Sequence, residues 1–190
     1  MATPTTSSVT RSSATAPTLS RRLGDVTVEI RPLRPEEHRA AGEVTALAYR
    51  RQAELASTNP DYLERVADVA TRARHALVLG AVEDGRVLGS VTVELIERIP
   101  GGHPRPPLNP GQAHVRMLGV HPDVQGRGIG RRLMESAADE ARRAGKRRVT
   151  LETTEAMRTA QRLYESMGYR RVDDLVFDDG FRLRTYELTL

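Results

Sequence analysis

Ala113-His114-Val115-Arg116-Met117-Leu118-Gly119-Val120, then His121-Pro122-Asp123-Val124, then Gln125-Gly126-Arg127-Gly128-Ile129-Gly130, is the stretch that decides the fold. Its first eight residues are apolar-rich and read as a strand. Three glycines within five residues follow, where that strand has ended and a helix opens. Such a run costs backbone entropy unless the chain needs bare amides there. The helix is legible from Gly128 to Ala144, with Ile129, Leu133, Ala137, Ala141 and Ala144 as a narrow apolar stripe and Gly145 as its stop. Arg148 to Thr153 is a second strand, so residues 113–153 form a strand-helix-strand unit.

Working outward, Val26, Val28 and Ile30 alternate with polar residues as a half-buried strand does, and a helix is expected over Pro35–Gln52. Asn59-Pro60 opens a second helix to about Arg74. Ala76–Val82 and Arg86–Leu95 are apolar runs joined by Glu83-Asp84-Gly85, a hairpin signal. Ile99–Gly111 is a proline-rich loop with His103, long for a compact domain. After residue 153 the reading gives a helix over Ala156–Met167 closed by Gly168, then strands over Tyr169–Val172 and Arg182–Leu190 with an Asp179-Gly180 turn between them. The expectation is an α/β fold: a mixed, mostly antiparallel central sheet of about seven strands flanked by helices.

The chain has 190 residues, 38% apolar, enough for one domain with a real core. Residues 1–22 carry Arg11, Arg21 and Arg22, no acid and few large apolar side chains, and are expected to be a disordered tail ahead of a domain over 23–190. That tail holds most of the net charge of +4, which leaves the body nearly neutral. With one lysine, two phenylalanines and no tryptophan, a nucleic-acid surface is not expected. No cysteine is present, which excludes disulfides, thiolate metal sites and a cysteine nucleophile. No apolar run reaches the roughly 18 residues of a membrane span, so a cytoplasmic protein without membrane contact is expected.

Two accounts compete for the helix after the glycines. A surface ladder of alternating charge explains Arg131, Glu135, Asp139 and Arg143. It does not explain the glycines. A Gly-rich turn at a helix N-terminus offers N–H groups and the positive dipole end to a phosphate, and residues 127–148 hold eight basic against three acidic side chains. A polyphosphate ligand follows. The spacing lacks the Lys of a nucleoside-triphosphate loop, and it reads G-x-G-x-G where a dinucleotide fold needs G-x-G-x-x-G, although Glu152 sits where a ribose-binding acid would.

The run Val115 to Pro122, then Gln125-x-x-Gly128-x-Gly130, then Leu163-Tyr164-Glu165-Ser166-Met167-Gly168-Tyr169, resembles the GNAT superfamily of N-acetyltransferases over about residues 113–172. The resemblance implies acetyl-CoA as acetyl donor, no metal, and direct attack of an amine in a ternary complex. It implies that Leu118, Gly119 and Val120 line the acetyl-pantetheine arm, with an amide near Leu118 polarising the thioester carbonyl. It implies that Gln125, Gly126, Arg127, Gly128, Ile129, Gly130 and Arg131 hold the pyrophosphate. Met157 stands where many members have Asn, and with Ala160 is expected to pack against the coenzyme.

Tyr164 matches the family's general acid, and a phenol beside a thiolate of similar basicity suits that role. A buried core tyrosine is the competing account. The family's usual Glu is absent before the loop, where this chain has Ala113-His114. His114 is chemically competent as a base. Glu94, expected on the neighbouring strand, is the second candidate and Glu152 a third. The acceptor pocket is expected from residues 49–62 and 99–112, which name no substrate, so the partner is a small-molecule amine or a peptide. Self-association as a homodimer through the terminal strands would suit such a fold. A non-catalytic acetyl-CoA sensor is the alternative, since it could dispense with a base.

Overall fold

The computed structural model describes residues 27–50, 61–96, 107–178 and 180–190. The expected tail, Val26, the Asn59-Pro60 cap and most of the proline-rich loop lie outside them. The described elements run β1 (Glu29–Pro32), a 3-10 turn (Pro35–Glu37), α1 (His38–Arg50), α2 (Asp61–Ala67), α3 (Val69–Ala73), β2 (Leu77–Glu83) and β3 (Arg86–Glu94). They continue with β4 (Gln112–Val120), a 3-10 turn (Pro122–Val124), α4 (Ile129–Arg143), β5 (Arg148–Thr153), α5 (Arg158–Ser166), β6 (Arg170–Arg171), β7 (Leu175–Val176) and β8 (Arg182–Thr189).

Seven strands lie in the order β1-β2-β3-β4-β5-β8-β6, and β7 pairs with β8 off that path. Only β4 and β5 run parallel among the described pairs; the others are antiparallel. The parallel pair is forced by α4, which carries the chain from the end of β4 back to the start of β5.

The two faces of the sheet differ in chemistry because the side chains alternate. Val91, Val93, Val115, Val149 and Leu151 join Ile129, Leu133, Met134, Ala137 and Ala141 of α4 in one buried cluster. The intervening residues Ser90, Thr92, Glu94, His114 and Thr150 are buried and polar. They lie on the α1 side, where the hydroxyls of Ser90 and Thr45 meet at 2.8 Å. One face is thus a core and the other a buried polar floor.

Several expectations are corrected. The helix expected through Arg74 breaks at Asp68, whose carboxylate accepts from the Thr71 N–H and starts α3 afresh. The apolar stripe of α4 takes in Met134 and Ala138, while Ala144 is exposed beyond the helix end. The strand expected over 169–172 shrinks to Arg170–Arg171, because Tyr169 turns into the core and its ring sits 5.9 Å from that of Tyr164. The short β7 was not legible at all.

α1 crosses α2 so closely that a Cβ on Gly42 would lie 2.0 Å from the Ala67 carbonyl oxygen. Gly42→Ala is expected to destabilise the protein by about 2–3 kcal/mol and lower its thermal midpoint by roughly 5–10 °C. An unchanged midpoint would contradict that crossing. Near the start of the chain, Arg31 donates to both oxygens of Glu37, at 2.8 and 2.6 Å. Those bonds, with the Arg34 N–H, hold the Glu37 carboxyl down to about 2 from 4.5. The unfolded chain takes up this proton first, so the contact's stabilisation is full above pH 4.5 and lost as pH falls towards 2. Denaturant titrations over that range should show a shallower acid-side loss for Glu37→Gln than for the parent.

Candidate active site

The site begins where the parallel pair comes apart. β4 and β5 are in register from Gln112–Arg148 to Val115–Leu151, yet the strands continue to Val120 and Thr153 without pairing to each other. On the other edge of β4 the register with β3 shifts between Ser90 and Thr92, and Met117 there takes φ of +55°, a bulge with a positive φ that is uncommon for a non-glycine residue. Gly119 is held against α1, since a Cβ there would lie 2.9 Å from the Thr45 Cα. The outer half of β4 therefore presents backbone to an opening between strands.

Beyond that opening lies the Gly-rich turn. Gly126 and Gly128 have φ of +83° and +76°, and a Cβ on either would meet nothing within 4 Å. Conformation, not crowding, requires glycine there. Gln125 ties the turn to β4 by donating from Nε2 to the Val120 carbonyl at 3.2 Å. The first helical bond of α4 runs from Arg132 N–H to Gly128 O at 3.1 Å. Among the described residues, the six amides from Gly126 to Arg131 find no backbone acceptor. That row, with the dipole of α4 behind it, is an anion cradle.

The side chains around the cradle are less cationic than their count suggested. Arg127 donates to both oxygens of Glu83, at 3.3 and 2.5 Å. Arg131 donates to Ser166 Oγ at 2.7 Å, Arg142 pairs with Asp139 and Arg143 with Glu140. The attraction for phosphate therefore resides chiefly in the amides.

A cavity of about 110 Å³ sits between β4, β5, α5 and the tyrosines of α1 and α2. Its wall includes Tyr49, Tyr62, His114, Arg116, Leu118, Glu152, Met157, Tyr164, Phe181 and Leu183. The register His114–Thr150 places Glu152 two residues further along the same face of β5. His114 Nε2 lies 2.9 Å from Glu152 Oε2, and Nδ1 lies 3.1 Å from Thr150 Oγ1. The His114 side chain is 3% exposed and that of Glu152 18%, so the carboxylate stands in front and the imidazole behind.

Glu94 is placed differently from the expectation. It is opposite His114 in the sheet, but its carboxylate accepts from Arg116 Nη1 at 3.1 Å, its side chain is 3% exposed, and it is not part of the cavity wall. Glu152, the weakest of the three candidates in the sequence, is the acid that reaches the cavity. Only the parallel register brings it beside His114.

Tyr164 is buried, with its ring about 6 Å from those of Tyr169 and Tyr186. Burial first, and Tyr186 second, push its phenol well above the ordinary 10, so it keeps its proton. Met157 lines the cavity and packs with Tyr49 and Met117, whereas Ala160 packs on the main core outside the wall. The hydroxyls of Thr153 and Thr154 are buried at the wall without a partner among the described residues, two donors that a polar ligand would satisfy. Neither threonine stood out in the sequence, nor did Arg116. The cradle's open amides, the edge of β4 that β5 leaves open and these hydroxyls fit a long polyphosphate ligand with an extended, amide-bearing arm.

The Acetyltransferase (GNAT) family matches residues 39–169. Over 115 residues the chain is 33% identical to the N-alpha-acetyltransferase RimI of Mycobacterium tuberculosis, a match covering 60% of this chain and 61% of that relative's length. A GNAT family acetyltransferase from Brucella melitensis, solved in complex with acetyl-CoA, superposes with a TM-score of 0.58 at 27% identity over 86% of this chain and 88% of that one. The ribosomal-protein-S18-alanine N-acetyltransferase of Escherichia coli shares the fold, with a TM-score of 0.61 at 20% identity over 86% of this chain and 94% of the other. The chain belongs to the GNAT family of acetyltransferases.

Proposed function

We propose that this chain is an N-acetyltransferase that moves the acetyl group of acetyl-CoA onto an amine, with Glu152 as general base and Tyr164 as general acid. The observation that carries the reading is that the separation of β4 from β5 joins two half-sites. The amide cradle at Gly126–Arg131 is at one end, and a cavity walled by Glu152 and Tyr164 is at the other. The acetyl-CoA in the Brucella melitensis structure and the N-alpha-acetyltransferase activity named for the Mycobacterium tuberculosis relative support it. Acetyl-CoA, when bound, supplies the acetyl group as an activated thioester.

The chain's own groups then have distinct tasks. The Gly126–Arg131 amides hold the pyrophosphate, and the unpaired edge of β4 near Leu118 holds the arm. Glu152 takes the proton of the acceptor's ammonium, directly or through water, so that a neutral amine attacks. His114 positions that carboxylate: its Nε2 lies 2.9 Å from Glu152 Oε2, and its Nδ1 is held 3.1 Å from the Thr150 hydroxyl, which in turn donates to the Ala113 carbonyl at 3.3 Å. Tyr164 provides a proton to the departing sulfur, a task suited to a phenol that burial keeps protonated. Thr153 and Thr154 supply hydroxyls to whatever occupies the wall.

Glu152→Gln is expected to lower kcat about 100-fold, and Tyr164→Phe about 10- to 100-fold, with coenzyme affinity little changed in both. Thiol release from acetyl-CoA measures this cleanly, since the chain has no cysteine to add background. Full activity in either variant removes that residue from the mechanism. A folded parent that binds acetyl-CoA and releases no thiol with any amine would be a sensor, not an enzyme.

The cradle has its own test. Gly128→Asn should keep most coenzyme affinity, since Asn tolerates the positive φ, whereas Gly128→Asp puts a negative charge at the amides and should abolish it. Calorimetric titration with coenzyme A distinguishes them. Equal affinity for the two variants contradicts the cradle.

A further inference from the structure

Two neighbouring guanidinium groups, Arg116 on the cavity wall and Arg72 packed behind it, are not used by the transfer chemistry. Arg116 lines the cavity one strand step beyond His114, and of its donors Nη1 meets Glu94 at 3.1 Å. Arg72 of α3 stands beside it: Nε donates to Thr92 Oγ1 at 3.3 Å, and Thr92 is the residue paired with Arg116 across the sheet. Arg72 Nη1 donates to the carbonyls of Arg65 and Asp68, at 2.6 and 3.1 Å. Its Nη2 is buried with no acceptor among the described residues.

Charge bookkeeping around this corner is uneven. Arg72 hydrogen-bonds neutral oxygens, Arg116 shares one carboxylate, and Glu152 is committed to the amine. Burial first, and the like charge of Arg116 second, bring the Arg72 guanidinium down to about 10. A third arginine, Arg65, lies with its guanidinium carbon 5.8 Å from the centre of the Tyr62 ring on the same wall. Buried guanidinium donors without acceptors are costly, and a carboxylate is the group whose two oxygens match their planar fork. A second ammonium would be repelled.

Distances set the size of the acceptor. His114 and Arg116 are two residues apart on one face of β4, about 7 Å along the strand. Glu152, held beside His114, and Arg116 line the same cavity, so one small molecule can meet both. The cavity of about 110 Å³ equals roughly three to four water volumes, room for such a head group.

We infer that the acceptor is a zwitterionic amine, an amino acid or a close analogue, whose own carboxylate is received by Arg116 and Arg72 while its amine faces Glu152. This rests on the proposed acetyl transfer and narrows its substrate class. It separates the chain from enzymes that act on a peptide N-terminus, where a neutral amide replaces that carboxylate, and from those that act on polycations.

The test compares acid with amide on the unmodified full chain. Thiol release from acetyl-CoA is followed with L-alanine, L-leucine, L-phenylalanine, L-glutamate and 4-aminobutyrate, each against its carboxamide, and with alanine-led tetrapeptide amides. The acids should exceed their amides in kcat/KM by about ten-fold or more, chiefly through KM, as the loss of charge-assisted bonds predicts. Arg116→Lys and Arg72→Gln should each shrink that ratio, with thermal midpoints reporting folding. Amides or peptides used as well as the acids would overturn the inference and leave acetyl transfer standing. If nothing releases thiol, calorimetry of the same pairs in the presence of coenzyme A decides. Selective binding of the acids keeps the carboxylate site and sinks the proposed activity, whereas equal or absent binding sinks the inference.

Discussion

The parallel contact between β4 and β5 lasts from Gln112–Arg148 to Val115–Leu151 and then ends, although both strands go on. The proposed site is arranged around that break. A parallel pair needs a crossover, and α4 supplies it, so the N-terminus of that helix is delivered beside the open end of β4. The crossover also fixes which face of the sheet is apolar, because α4 must bury Ile129, Leu133 and Met134 against Val91, Val115 and Leu151. The other face is left to polar side chains. Ser90, Thr92, Glu94, His114 and Thr150 form a buried floor on the α1 side, and the proposed base Glu152 stands beside its His114.

Buried polar groups are tolerable only when satisfied, and the floor meets that demand by pairing across strands. Ser90 meets Thr45 of α1, Arg116 meets Glu94, and His114 is held between Thr150 and Glu152. What the floor leaves unsatisfied is informative for that reason. Among the described residues, the hydroxyls of Thr153 and Thr154 lack a partner at the cavity wall, and Arg72 Nη2 lacks one behind Arg116. Away from the cavity, at the other end of the break, the amides of Gly126–Arg131 have no backbone acceptor among the described residues. On the proposed reading, these groups receive ligand atoms, from phosphate to acceptor carboxylate.

The sequence was a good guide wherever a local rule governed. Asp84-Gly85 gave the hairpin and Gly145 the end of α4, and the glycine run does fall at the turn into α4, where Gly126 and Gly128 adopt positive φ. It was a poorer guide where register decides. Nothing local says that Thr150 sits beside His114, yet that pairing is what advances Glu152 over Glu94 as the base. Charge counting misled for a similar reason, since Arg127, Arg142 and Arg143 spend their charge on Glu83, Asp139 and Glu140. The bulge at Met117 and the isolation of Arg72 Nη2 are likewise products of tertiary packing.

A structure of the full chain with acetyl-CoA bound tests the central claim most directly, because that claim is geometric: one break in the sheet connects the phosphate cradle to the base and the acid. The account predicts the pyrophosphate on the amides of Gly126–Arg131, the arm along the outer half of β4, and the thioester in the cavity between Leu118 and Tyr164, facing Glu152. A coenzyme seated elsewhere, or one whose thioester lies away from Tyr164 and Glu152, would contradict it.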